Sequence, residues 1–196
     1  MSPGVTFERV YLALKEELGS GRHGAGAHLE PSALSADLNA SITPVRDALH
    51  RLVGEGLVEA PRGDGFRTPL FTEIALRHLY RWNWTLLDLA ARTADPGSTL
   101  PYEMDLLERT EALFRAIARS SGNPEHVAAV ARLSERLRPM RHVEAELLPG
   151  AGAEIDELAA LLSDGAAGPL RRALAGYHRK RERLAADIVE RLHHRD

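Results

Sequence analysis

Residues 31–70, PSALSADLNASITPVRDALHRLVGEGLVEAPRGDGFRTPL, decide the fold. Pro31 suits the first turn of a helix, where its missing N–H costs nothing, and Leu34 and Leu38 follow on one face at i and i+4. Asn39-Ala40-Ser41 reads as a turn, with Ser41 placed to cap the next helix. That helix carries Val45, Leu49 and Leu52 on one stripe with Arg46, His50 and Arg51 off it, and Gly54 and Gly56 close it. Leu57-Val58-Glu59-Ala60 then alternates like a strand, Pro61 to Gly65 makes a turn, and Phe66-Arg67-Thr68-Pro69 returns. Two helices across a tight turn followed by a two-stranded wing form a winged helix-turn-helix. Its second helix fits a DNA major groove, and its wing tip reaches the flanking backbone or minor groove.

Composition narrows the rest. A chain of 196 residues with 44% hydrophobic content holds one large or two small globular domains. It has no cysteine, which excludes disulfides and thiolate metal sites. No basic stretch leads into an apolar core at the N-terminus, and no window approaches a membrane span, so a soluble cytoplasmic protein without a membrane partner is expected. The net charge of −3 does not advertise nucleic-acid binding. Within residues 1–70 there are seven Arg or Lys (9, 15, 22, 46, 51, 62, 67) against nine Asp or Glu (8, 16, 17, 30, 37, 47, 55, 59, 64). Non-specific DNA affinity comes from cations on phosphates, so tight indiscriminate binding is not expected. The arginines cluster on the second helix and the wing, however. A local basic face with salt-sensitive binding follows.

Outward from this core, residues 1–5 read as frayed. Phe7, Val10, Tyr11, Leu14 and Leu18 repeat at three and four, an amphipathic helix that packs behind the reading helix. Gly19 to Gly26 is a solvated loop, because it lacks the preceding strand and the Lys-Ser/Thr pair of a phosphate cradle. His28-Leu29 is a short strand that joins the wing. After Pro69 and Leu70, Thr72 caps a helix to Thr93 with Leu76, Leu79, Tyr80, Trp84, Leu87 and Ala91 on its apolar face. Asp95-Pro96-Gly97-Ser98 breaks it. Further helices are expected over 103–120, 125–148, 155–162 and 169–193, five in all with no strand signal. The fold class is thus mostly α. A winged helix-turn-helix with a small β-wing occupies residues 1–70 and an all-α bundle occupies 71–196.

The run Ser41-Ile42-Thr43-Pro44-Val45-Arg46-Asp47-Ala48-Leu49, then Leu52, Glu55-Gly56-Leu57-Val58 and Arg62-Gly63-Asp64-Gly65-Phe66, resembles the DNA-binding domain of the GntR family of bacterial transcription regulators. The likeness takes in about the first seventy residues. It implies DNA contacts from Ser32, Ser41, Ile42, Thr43, Arg46 and Arg51, and from Arg62 and Gly63 at the wing tip. Arg46 matches the family's basic position. Ile42 stands where relatives carry an arginine that reads guanine, and Ser32 where some carry another. An arginine–guanine pair contributes about 1–3 kcal/mol of discrimination, which Ile42 cannot supply; contact with a thymine methyl is open to it. For Arg46, Arg51 and Arg67 the alternative is a solvated surface.

The second half resembles the all-helical FCD effector domain of the FadR-like branch of that family. The likeness is carried by Leu86-Leu87-Asp88-Leu89-Ala90-Ala91-Arg92, by Phe114 through Asn123 and by Tyr177-His178 on the final helix. It implies a dimer and a small ligand in the bundle, often a carboxylate on a metal held by one acidic residue and three histidines. The matching positions are Glu111, Arg115, a residue near Glu154, and His178. With only His178 and Glu111 as possible ligands, the set is poor for a transition metal, so no cofactor is expected. Arg115 instead salt-bridges Glu111 or grips an anion. The candidate effector residues are Glu111, Arg115, His178 and Trp82, the last also a candidate for a dimer interface, with Trp84 in the core. His126 and His142, and the arginines at 132, 136, 138, 141, 179, 181 and 183, read as solvated helix faces.

These features together imply a non-enzymatic transcription regulator, a repressor binding a palindromic operator in double-stranded DNA as a homodimer and answering to an unidentified small effector. A winged helix that binds protein, or a regulator without an effector, stays open. An enzyme built on Glu111, Arg115 and His178 would need convergence that no spacing here ensures.

Overall fold

A computed structural model describes residues 3–93 and 104–194. The described chain divides into two compact units, Met1–Phe71 with Glu190–Asp196, and Thr72–Val189.

In the first unit, α1 (Pro3–Gly19) packs on α3 (Ile42–Glu55), with α2 (Pro31–Asp37) against α3. The helix therefore already begins at Pro3, within the segment read as frayed. Val10, Tyr11, Leu14, Leu34, Val45, Leu49 and Leu52 form one core, as their helical spacing demands. Asn39 adopts φ 47° in the turn between α2 and α3, a left-handed conformation that asparagine tolerates better than most residues. Gly56, at φ 74°, ends α3, and the Leu57 N–H reaches back to the Leu52 carbonyl at 3.0 Å.

That cap reshapes the wing. The Leu57 N–H is committed to the helix end and Pro61 has no N–H, so the expected strand over 57–60 contracts to a single bridge from Glu59 to Arg67. The regular pairing is instead β1 (His28–Leu29) antiparallel to β2 (Phe66–Arg67). Thr68, buried beyond β2, donates to the Gly24 carbonyl at 2.6 Å and accepts from the Ala27 N–H at 2.9 Å, tying the glycine-rich loop to the wing.

The second unit is helical. α4 (Glu73–Ala90) starts at Thr72, whose hydroxyl accepts from the Ala75 N–H, and ends in a 3-10 turn at Ala91–Thr93. The break expected at residues 95–98 lies outside the described residues. α5 (Leu106–Arg119) opens with a reciprocal capping box between Asp105 and Glu108. α6 (Pro124–Leu147) begins at Asn123 and runs through Pro139, and α7 (Ala151–Ser163) follows. The single last helix expected over 169–193 is two, α8 (Ala167–Arg183) and α9 (Ala185–His193). They part at Leu184, where the backbone tightens to a bond with the Arg181 carbonyl. α4 packs on α5, α6 and α8, α5 on α6 and α7, and α7 on α8.

Candidate nucleic-acid interface and bundle cavity

On α3, Val45, Ala48, Leu49 and Leu52 face the core, which turns Ile42, Thr43, Arg46 and His50 to solvent. Ile42 is 44% exposed. Ser41 holds the N-cap position in extended conformation, but its hydroxyl makes no capping bond, so the side chain and the first-turn N–H groups stay open to an incoming oxygen. Arg46 and Arg62 are exposed, and among the described residues neither has an ion-pair partner. Gly63 and Gly65 sit at φ 81° and 68°, and this left-handed pair, not lack of space, is what the wing tip requires of glycine. The His50 ring meets Phe66 of β2 edge-on at 5.0 Å, bracing the wing against the reading helix. Ser32 is exposed at the start of α2, its hydroxyl donating to Glu30 at 3.1 Å.

Arg51 is placed differently. It lies over the Tyr11 ring at 3.7 Å, with Glu8 at 3.4 Å and Glu55 at 3.3 Å. Tyr11 donates to Glu55, and Lys15 contacts both. Burial acts to raise the Glu55 pKa, but the Tyr11 and Lys15 hydrogen bonds outweigh it and hold it below the usual range. This geometry makes Arg51 a brace between α1 and α3. Arg67 is likewise occupied, by Glu59 at 3.0 Å and Asp64 at 3.8 Å.

In the second unit the expected ligand set is dispersed. Arg115 is exposed; Glu111 pairs instead with Arg141 at 3.6 Å and Arg138 at 3.8 Å. Glu154 is held by Lys180 at 2.6 Å and Arg181 at 2.8 Å. His178 is buried with both ring nitrogens engaged. Nδ1 donates to the Leu174 carbonyl at 2.8 Å, which leaves Nε2 to accept from the Asn83 amide at 3.2 Å. Among the described residues no three His, Asp or Glu side chains converge as metal ligands. With the one candidate imidazole committed at both nitrogens and the one candidate carboxylate set between arginines, these residues do not fit a transition metal. Trp82 is 52% exposed on α4 and is not among the cavity-lining residues; Trp84 is half-buried.

Burial, with Arg181 and Arg141 near, drives the His178 pKa down to about 3 from an ordinary 6.5. Between those values the unfolded chain binds a proton that the folded chain refuses, so stability falls as acid is added through this window. The slope is about 1.4 kcal/mol per pH unit. His178→Gln removes that dependence. In urea titrations at pH 7 and 4.5, the wild-type protein loses about 2–3 kcal/mol more than the variant; equal losses would show the ring to be charged in the fold.

Two arginines and one histidine read as solvated are in fact interior. His126 is buried and donates to the Leu86 carbonyl at 2.7 Å. Arg181, 2% exposed, binds Glu144 at 2.6 Å and stacks on Tyr177 at 3.3 Å, while Glu144 also accepts from Tyr80 at 2.6 Å. Arg141 is 6% exposed. The buried stripe of α6 passes through Leu133, Leu137, Arg141 and Glu144, and that of α8 through Leu170, Leu174, Tyr177 and Arg181. The helical period alone could have moved both arginines inward. Between α5, α6, α7 and α8 these side chains line a cavity of about 210 Å3 that sequence reasoning missed. Arg141, Glu144, Tyr177 and Arg181 are among its polar lining residues, with Asp105, Thr110 and His142.

A winged helix-turn-helix with an open, partly basic reading helix and a glycine-turned basic wing tip defines a DNA-binding transcription regulator. Residues 6–67 match the profile described as "Bacterial regulatory proteins, gntR family", and the DNA-binding domain of this chain belongs to that family. The fold over nearly the whole chain is similar to two solved structures. E. coli McbR/YncC is 23% identical over 93% of this chain and 97% of its own, at TM-score 0.68. A GntR transcriptional regulator from Rhodococcus sp. RHA1 is 17% identical over 92% and 97%, at TM-score 0.78. No curated protein matches the sequence. Among the described residues, no helix is long and apolar enough to cross a membrane.

Proposed function

We propose that this regulator is a cytoplasmic repressor of the FadR-like branch, binding a palindromic operator as a homodimer through residues 1–70. Residues 71–196 serve as its FCD-like effector and dimerisation half. The observation that carries the reading is the exposed row of Ile42, Thr43 and Arg46 on α3, with Arg46 and the wing-tip Arg62 both unpaired among the described residues. Unneutralised guanidinium groups are what phosphates and guanine edges recruit. A second copy is supported by α4, whose outer face leaves Ile74 67%, Trp82 52% and Leu89 52% exposed at helical spacing, a stripe that a two-fold related helix can cover. Ligand in the bundle lowers operator affinity by favouring one arrangement of the dimer.

The test is fluorescence anisotropy with labelled DNA from upstream of the protein's own coding sequence, at two salt concentrations, beside sedimentation of the free protein. Saturable binding by two chains, weakening with salt, is expected. Trp82→Glu is expected to leave the protein monomeric and to weaken operator binding at least tenfold. A wild-type protein that sediments as a monomer, or that ignores this DNA at low salt, sinks the reading.

A further inference from the structure

The glycine-rich loop at the base of the wing is held on two sides. On one side, Thr68 donates from its hydroxyl to the Gly24 carbonyl, accepts there from the Ala27 N–H, and donates its own N–H to the Ala27 carbonyl at 2.9 Å. Gly26 sits at φ 75°, and a Cβ on it would come 2.9 Å from Leu70, so the chain leaving the wing lies directly on the loop. On the other side, the Ala25 N–H donates to the Leu192 carbonyl at 3.3 Å. Leu192 stands in the last turn of α9, where the closing carbonyls have no partner within the helix. The loop thus supplies a donor that the helix end lacks, and the helix end an acceptor for a loop N–H that no strand pairs. The Leu192 side chain is buried, and residues 190–196 accordingly group with the first unit.

The same helix begins elsewhere. Ala185 and Ile188 are fully buried, and both fall in the second unit. We propose that the glycine-rich loop is a docking surface for this chain's own C-terminal turn, and that this contact holds the wing in its DNA-binding position. Undocking frees Gly24 to Ala27, and with them Thr68 and the wing, so the tip residue Arg62 loses its fixed place. The α1–α3 core, which has its own apolar residues, is left intact. Because α9 is one continuous helix, a shift at its start is carried to the loop by a rigid element. The proposal rests on the first unit being the DNA-binding one, and it adds the C-terminal turn to that unit's working parts.

The test compares the full chain with Leu192→Asp. In hydrogen exchange read by NMR, the Ala25, Ala27 and Thr68 amides are expected to exchange roughly tenfold faster in the variant, with those of α3 and α5 unchanged. Operator affinity is expected to fall several-fold in the wild-type background and hardly at all beside Arg62→Ala, since the contact that undocking would disturb is already gone. Additive losses would make the effect a general destabilisation and overturn the proposal, as would unchanged exchange at Ala25 and Thr68. If Leu192→Asp fails to fold, spin labels decide with Leu192 in place. The chain has no cysteine, so Arg22→Cys and His194→Cys, both at exposed positions, introduce its only two thiols. Diluted with unlabelled protein, the labelled chain is expected to give one short distance, and a broad distribution would overturn docking. Exchange and label distances need no DNA. A chain that keeps its C-terminal turn on the loop yet ignores the operator therefore loses the DNA-binding reading alone.

Discussion

Arg181→Met lowers the stability of the bundle by about 3–5 kcal/mol, the range for removing one member of a buried ion pair. The size follows from what is left behind. Glu144 keeps only the Tyr80 hydroxyl, and Glu154 keeps only Lys180. Methionine fills much of the vacated volume, so the loss reports the stranded Glu144 charge more than a cavity. Burial, reinforced by the same carboxylate, already drives the Tyr80 phenol well above its ordinary pKa. Urea unfolding measures the loss directly, and a Tm lower by roughly 10–15 °C accompanies it. The double variant Arg181→Met/Glu144→Gln recovers part of the deficit, because a neutral amide still accepts from Tyr80 and no longer needs a cation. A single-variant loss under about 1 kcal/mol would mean that Glu144 takes up a proton or reaches water, and the network would then be dispensable.

That network explains where the sequence was legible and where it was not. The winged unit was readable because each of its signals is local. Pro31 opens a helix, Gly56 ends one, and Val45, Leu49 and Leu52 recur with the helical period. The strand expected over 57–60 is shorter in the fold because the cap at Gly56 and a strand at Leu57 compete for the same N–H. In the bundle, helix count and faces were mostly readable, but partners were not. A cluster such as Arg179-Lys180-Arg181-Glu182-Arg183 averages to a solvated surface. Only the packing of α8 on α7 and α4 puts Arg181 inside, and only Glu144 from α6 makes that tolerable. The family resemblance sets Glu111 and Arg115 side by side, yet the helix turns Arg115 outward and leaves Glu111 to arginines of α6. Arg51 shows the converse case. It lies beside the reading face in sequence, but Tyr11, Glu8 and Glu55 draw it to α1. Pairwise side-chain chemistry across non-adjacent helices carries no period, so it becomes visible only in three dimensions.

Arg46→Ala reduces operator affinity by about 10- to 100-fold, the effect of losing one good guanidinium contact of about 1–3 kcal/mol. The side chain is exposed and has no intramolecular ion pair among the described residues, so the fold is untouched and the loss belongs to the complex. What Arg46 contacts is read from the salt dependence. If it meets a phosphate, binding weakens alike on all sequences and the log–log salt slope falls by about one; if it meets a guanine, the loss is confined to one base pair. Arg51→Ala separates brace from contact: it lowers stability while folded protein keeps most of its operator affinity. Ile42 is then expected to set the sequence preference. With an alkyl group 44% exposed at the first turn of α3, it favours a thymine methyl over a guanine edge. Selection of bound DNA from a random pool is therefore expected to return a thymine beneath Ile42 for the wild type, and a guanine at that position for Ile42→Arg. Identical selected sequences from the two proteins would place Ile42 off the DNA and leave base reading to Arg46, Thr43 and the wing.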